Sequence, residues 1–136
     1  MCNLPGVTNY IIVADNPLLR CTNTLACTLA AWVKASSPQI NGAGILAKGN
    51  GNREEYSLDV NANLFRTYVR NTNAVNTTLP STLAVNASWQ HVAGVYDGIG
   101  KTLKIYTNGQ LSASTTGSGN NLLSLMTTNN HEISIA

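Results

Sequence analysis

Charge is the first thing this sequence is short of. Only 10% of its 136 residues are Asp, Glu, Lys or Arg, against about 25% in an average domain. The net charge of +2 is small and dispersed, with no run of Lys or Arg, which argues against nucleic acid as a partner. Long apolar runs are missing too. No stretch approaches the ~20 residues of a membrane-spanning helix, so membrane insertion is not expected. The opening MCNLPGV has neither the basic nor the apolar region of a signal peptide. No segment carries a helical apolar period of useful length, and no internal repeat is evident. Cys-x-x-Cys is absent and the two histidines lie far apart in sequence, which argues against zinc. Gly49-Asn50-Gly51-Asn52 opens onto a strand pattern, so the helix start that a phosphate loop needs is lacking.

What is present is a chain of strands. Hydrophobic residues make up 43% of the sequence. Asn, Thr and Ser supply the polar surface, and these residues favour turns and sheet edges. At 14.4 kDa the chain forms one domain, able to bury roughly two thirds of its unfolded surface. Residues 7–14 read as a first strand ended by Asp15-Asn16-Pro17. Residues 27–34 place Cys27, Leu29, Ala31 and Val33 on one face, with Trp32 and Lys34 on the other. Residues 43–48 form a short apolar strand. Residues 54–61 and 64–71 form a hairpin about Ala62-Asn63. That register puts Tyr56, Leu58, Val60, Phe65, Thr67 and Val69 on a core face. On the other face Asp59 meets Arg66, Ser57 meets Tyr68, and Glu55 meets Arg70. Residues 75–85 carry Pro80, which predicts an edge or bent strand. Residues 122–126 read as a short apolar segment, and residues 131–136 as a last strand with Ile133 and Ile135 inward.

The centre of the chain is SWQHVAGVYDGIGKTLKIYTNGQLSAST, residues 88–115. Asp97-Gly98 and Asn108-Gly109 divide it into three strands. A three-residue loop, Thr107 to Gly109, would place Leu103, Ile105, Leu111 and Ala113 on one face. A two-residue turn would instead put Leu111 beside Tyr106 and Lys104. The apolar set favours the three-residue loop. The predicted core is Leu29, Ala31, Val33, Leu58, Val60, Phe65, Val69, Trp89, Leu103, Ile105 and Ile133.

W-x-H-V-A-x-V-Y-D-G followed by L-K-I-Y-x-N-G-Q-L resembles the central signature of laminin-G-like domains, a branch of the concanavalin A-like jelly rolls. Upstream, CTLAAWVK at residues 27–34, GILAKG at 44–49 and YSLDV at 56–60 are similar to the family's earlier strands. Their order and spacing, over roughly residues 5–136, carry the resemblance. It implies an all-β sandwich of two antiparallel sheets. It also implies a non-catalytic binding module of secreted or cell-surface proteins. Many such domains hold calcium between rim loops, where Asp15, Asn16 and Asp97 would be the candidates, although no cofactor is required. The family's closing strand, often G-x-I-D-D-V-R-I-Y, has no match here. The expectation is therefore a domain truncated at its C-terminus, with an open sheet edge beside residues 10–14 through which two chains could associate.

The residues themselves carry no catalytic set. Some concanavalin-like proteins are glycosidases with an E-x-D-x-x-E strand motif, but the nearest match is Glu55-x-Ser57-x-Asp59. Residues four apart on a strand lie about 13 Å apart at Cα, too far for a retaining pair at about 5–5.5 Å. Pairing with Arg66 and Arg70 would also lower both carboxyl pKa values. His91 is expected as a packed histidine and His131 as a solvated one, with no activated nucleophile near either. Three cysteines leave at least one unpaired. Cys27 reads most simply as a buried free thiol, with a Cys21–Cys27 bridge as the alternative. Asn76-Thr77-Thr78 and Asn86-Ala87-Ser88 fit the glycosylation sequon, as chance allows in a sequence so rich in Asn and Thr.

Trp32, Tyr68 and Tyr106 project away from the core face. Aromatic rings with Arg and Asn beside them suit sugars, so these three, with Asn50 and Asn52 of a rim loop, are the candidate ligand contacts. The bland alternative is that the rings pack beneath loops. The expected role is recognition of carbohydrate or glycoprotein surfaces outside the cell. Its rivals are a structural or protein-adhesion domain and a residual hydrolase.

Overall fold

The computed structural model describes residues 10–21, 26–36, 38–49, 54–71, 75–116 and 131–136. In chain order the strands are β1 (Ile11–Val13), β2 (Ala26–Val33), β3 (Ala43–Lys48), β4 (Tyr56–Asn61), β5 (Leu64–Arg70), β6 (Asn76–Ala84), β7 (Gln90–Asp97), β8 (Thr102–Thr107), β9 (Gln110–Thr116) and β10 (Ile133–Ile135). They form a six-stranded sheet in the order β1-β10-β3-β4-β5-β6 and a four-stranded sheet in the order β2-β7-β8-β9. Every pairing is antiparallel. This is the expected all-β sandwich. Pro80 falls on β6, an edge strand, opposite Arg66 and beside a bulge, where a missing N–H is tolerated.

The β4–β5 hairpin has the expected register, from Asn61 opposite Leu64 to Tyr56 opposite Val69. Ala62 and Asn63 both take positive φ, at 49° and 60°, which matches the right-handed twist of a two-residue hairpin turn. The inward side chains of β4, β5, β7 and β8 meet in one core. Leu58, Phe65, Val92 and Ile105 are fully buried, each worth about 1.5–3 kcal/mol of transfer free energy. Gly94 is required where the sheets approach, because a Cβ there would sit 2.3 Å from Thr67 Oγ1.

Three core expectations are corrected. Trp89 is 47% exposed, because Gln90, Val92 and Tyr96 take the inward phase of β7. Gln90 is buried in its place. Its amide accepts from Asn86 N at 2.9 Å and donates to Ala84 O at 3.0 Å. Leu29, Ala31 and Val33 do pack against the core, but they are half-buried because β2 is an edge strand. Leu111 is exposed beside Tyr106. The turn has two residues, with Asn108 and Gly109 at φ 51° and 78°. A bulge then restores Ile105 opposite Ala113. The strand tip follows the tighter turn, and the bulge rescues the apolar face for everything beyond it.

One flank of the sandwich is closed, where Thr82 of β6 donates its N–H to Ser112 Oγ of β9 at 2.8 Å. On the opposite flank, β1 and β2 each pair on one side alone among the described residues. Cys21 and Cys27 form a disulfide with Cα atoms 5.4 Å apart, so the free-thiol reading is overturned. The bridge binds β2 to the segment that follows β1, and Cys21 itself sits in the core. The expected apolar segment at 122–126 lies outside the described residues, as does Cys2.

Candidate functional site

On β5 the residues between the inward Phe65, Thr67 and Val69 are Arg66, Tyr68 and Arg70, so these three point outward. They form one wall of a groove on the outer face of the six-stranded sheet, with a volume of about 370 Å³. Asn76 and Thr78 of β6 rise on the same side, and Ser57 and Asp59 of β4 lie beside them. The far side is low, because β3 and the turn before it contribute Gly42, Gly44 and Ala47. A Cβ added at Gly42 or Gly44 would meet nothing within 4 Å. The groove is therefore open where the side chains are smallest.

Its charges are arranged in two unequal pairs. Arg66 grips Asp59 with two parallel hydrogen bonds, Nε to Oδ1 at 2.8 Å and Nη2 to Oδ2 at 2.6 Å. This fork geometry is the strong form of a guanidinium–carboxylate contact, and it raises the Arg66 pKa. The Arg66 guanidinium also lies 5.8 Å from the Tyr68 ring centroid. Tyr68 is 8% exposed, and burial, ahead of the nearby Glu54 carboxylate, raises its phenol pKa. Arg70 is as deeply buried, yet the carboxylate it faces is Glu54, 3.6 Å from Nη2. Its Nε has no hydrogen-bond partner.

The expected Glu55–Arg70 pair is thus replaced by Glu54. A bend at Glu55, just before β4, shifts the side-chain phase by one and turns Glu55 to the opposite side. There it is fully buried near Lys48, Arg20, Asp15 and the Cys21 backbone. Burial pushes its pKa up to about 7 against the opposing pull of Lys48 and Arg20. The expectation of a lowered Glu55 pKa is overturned with the pairing.

Asp15 holds Lys48 Nζ through Oδ1 at 2.6 Å and Arg20 through Oδ2. Those bonds, Arg20 first, bring its pKa down to about 2. Lys48 is fully buried and also donates to His131 O at 2.7 Å. Asn16 caps a short 3-10 turn, Pro17–Leu19, by accepting from Leu18 N. Asp97 Oδ1 accepts from Ile99 N and Gly100 N at the far end of β7. Each calcium candidate therefore already has a structural role, and no group of three or more His, Cys, Asp or Glu gathers among the described residues.

The aromatic candidates divide between the two sheets. Tyr68 lies in the groove. Trp32 and Tyr106 lie on the outer face of the four-stranded sheet, with the whole sandwich between them and Tyr68. Trp32 meets the His91 ring edge-on at 5.3 Å, the packing partner of the expected packed histidine. Asn50 and Asn52 lie outside the described residues. Glu54, Asn76, Thr78, Gly44 and Ala47 were not foreseen as site residues. For Gly44 and Ala47 a signal existed, since alternate small residues on a strand leave one face open.

The chain belongs to the concanavalin A-like lectin/glucanases superfamily, whose Laminin_G_3 family model matches residues 5–135. No curated protein sequence matches it significantly. Among solved structures, it is similar to the receptor-binding domain of botulinum neurotoxin D, at 18% identity and a TM-score of 0.72, covering 98% of this chain and 34% of that one. It is also similar to the CBM40 of the Ruminococcus gnavus IT-sialidase, solved with bound alpha2,3 sialyllactose, at 19% identity and a TM-score of 0.64, covering 95% and 77%. The binding domain of a paraclostridial mosquitocidal protein matches at 15% identity and a TM-score of 0.63, covering 92% and 35%. The chain thus spans about a third of the toxin-domain chains and about three quarters of the sialidase module. At these identities the likeness is one of fold. No helix among the described residues is long and apolar enough to cross a membrane.

Proposed function

We propose that this laminin-G-like sandwich is a non-catalytic glycan-recognition module and that its ligand lies in the groove over Gly44 and Ala47, against Tyr68 and Arg70. The observation that carries the reading is the groove itself. Fixed carboxylates, guanidinium groups, amides and hydroxyls converge above a floor of small residues, and they match the mixed donor and acceptor pattern of a sugar. Its volume falls within the range of small-ligand sites. The similarity to a module solved with sialyllactose supports the same class of ligand. Catalysis is disfavoured because Asp59 is clamped by Arg66 and Glu55 is turned away. Of the three acids near the groove, Glu54 alone remains, where hydrolysis calls for two. The Cys21–Cys27 bridge suits an oxidising compartment outside the cell.

A glycan array tests the reading, followed by titration of the best ligand into two variants. Gly44→Leu adds a side chain into open space, so it should block binding while leaving the thermal midpoint near that of the parent. Trp32→Ala on the opposite face should leave binding intact. Binding lost in Trp32→Ala and kept in Gly44→Leu would move the site to the four-stranded sheet. An array with no binder would favour the adhesion role.

A further inference from the structure

Two arginines sit four residues apart on the same face of β5, and the first shows what the second lacks. Arg66 presents its Nε and Nη2 edge to the Asp59 carboxylate, and both donors are satisfied. Arg70 is 7% exposed and lines the same groove, but its Nε–H has no acceptor. Glu54, at 3.6 Å from Nη2, stands outside hydrogen-bonding distance. An enclosed donor without an acceptor costs stability, and the cost is relieved when an oxygen arrives. A guanidinium edge offers two parallel donors in one plane, and the group that fits it is a planar carboxylate.

We propose that Arg70 is the anchor for a carboxylate-bearing sugar, which docks on its guanidinium edge as Asp59 docks on Arg66. This rests on the groove being the glycan site, and it names the ligand class as acidic glycans. Glu54 is the group that gives way. It precedes β4, its side chain is 22% exposed, and it is free of the two-point grip that fixes Asp59. Ser57, Asn76 and Thr78 lie within the groove to meet the hydroxyls of the same sugar, and the open floor at Gly44 receives its ring.

Two sources of this chemistry are a nonulosonic acid and a uronic acid, and calorimetry separates them. The probes are alpha2,3 sialyllactose, a glucuronate-containing tetrasaccharide of hyaluronan, and lactose as the neutral control. At low salt at least one acidic probe should bind roughly tenfold or more tighter than lactose, the worth of a charge-assisted hydrogen-bond pair. Arg70→Gln should remove that preference. Arg70→Lys keeps the charge but loses the fork, and should recover only a small part of it. Gly44→Leu should abolish binding of all three. Thermal midpoints of both Arg70 variants establish that they fold, and Glu54→Gln gives a second, folded probe that should bind the acidic sugar more tightly. Equal affinity for lactose and the acidic probes, blocked by Gly44→Leu and indifferent to Arg70→Gln, would overturn the Arg70 assignment and leave the groove in place. Binding of no sugar, acidic or neutral, would overturn both.

Discussion

Arg66 in the groove is clamped by Asp59 and Tyr68 is 8% exposed, while across the sandwich Trp32 and Leu111 stand 66% and 54% exposed. Both faces come from strands that alternate inward and outward residues. What separates them is whether the outward residues have partners. On the six-stranded sheet, cross-strand ion pairs hold the polar groups at fixed positions, which lowers the entropy lost on binding a polar ligand. On the four-stranded sheet, Ala30, Trp32 and Leu111 lie exposed with no comparable network. One face thus presents exposed apolar residues, and the groove presents polar groups already held in place.

The largest effect expected calibrates inside against outside within a single hairpin. Ile105→Ala should cost about 2–5 kcal/mol, whereas Leu111→Ala should cost under about 1 kcal/mol. Urea unfolding measures both. Similar losses would mean that the outward assignment of Leu111 is wrong.

The next test sets the two outer faces against each other. Asp59→Ala leaves the Arg66 guanidinium, with 24% of its side chain exposed, without its partner, at a cost of about 2–3 kcal/mol. Trp32→Ala should cost under about 1 kcal/mol. If the tryptophan change destabilises more than the aspartate change, the four-stranded face is the one held by packing, and the contrast fails.

The disulfide ties the Trp32 strand to the rest. Its loop has a sequence separation of 6 residues, for which chain entropy gives about 2 kcal/mol. Cys27→Ser should lower stability by that amount, and a reducing agent should do the same to the parent. No change in the unfolding midpoint on reduction would show that β2 is held by its pairing with β7 alone.

A smaller effect comes from the buried cluster between the faces, where Glu55 faces Lys48, Arg20, Asp15 and Tyr56. The folded pKa of Glu55, about 7, lies above its ordinary 4.5. Between those values the folded state holds more protons, so stability falls as pH rises through this window. The loss should be about 1–2 kcal/mol, allowing for solvent screening. Asp15 acts in the opposite sense. Its folded pKa of about 2 lies below the ordinary 3.8, so its contribution is present above pH 3.8 and disappears as pH falls through 2. Stability should therefore peak near pH 4–5. Glu55→Gln should flatten the decline above that peak. A slope unchanged by the substitution would assign the decline to another group.

The succession of strands along the chain and the β4–β5 register were legible because period-2 alternation and the Ala62-Asn63 break constrain them locally. The Asp59–Arg66 pair followed from the same arithmetic. What escaped was whatever depended on a shift of one residue. The two-residue turn at Asn108-Gly109 put Leu111 outward before a bulge restored the phase, and the bend at Glu55 put Glu54 in the groove in place of Glu55. Trp89 escaped because Gln90 satisfies its amide internally, and a sequence does not announce such bonds. The division of Trp32 and Tyr106 from Tyr68 is a matter of which sheet each strand joins, a long-range fact that no local pattern contains.

Calcium gives the smallest expected effect, namely none. The ion requires about 6–8 oxygens. Asp15, the strongest candidate in the sequence, has both oxygens bonded to Lys48 and Arg20. Drawing it onto a cation would leave the fully buried Lys48 ammonium without its carboxylate, a loss of several kcal/mol before any gain. Asn16 Oδ1 already accepts from Leu18 N. Asp97 Oδ1 accepts from two amides of its own turn, and a Cβ on Gly100 would lie 2.5 Å from its other oxygen, so that carboxylate is closely packed. Calorimetry with millimolar calcium should therefore show no binding heat, and the thermal midpoint should be the same in calcium and in chelator. A midpoint raised by calcium and restored by Asp15→Asn would show that the Lys48 ion pair opens in solution. The buried cluster would then be a metal site, and the quiet interior between the two faces would join the list of binding surfaces.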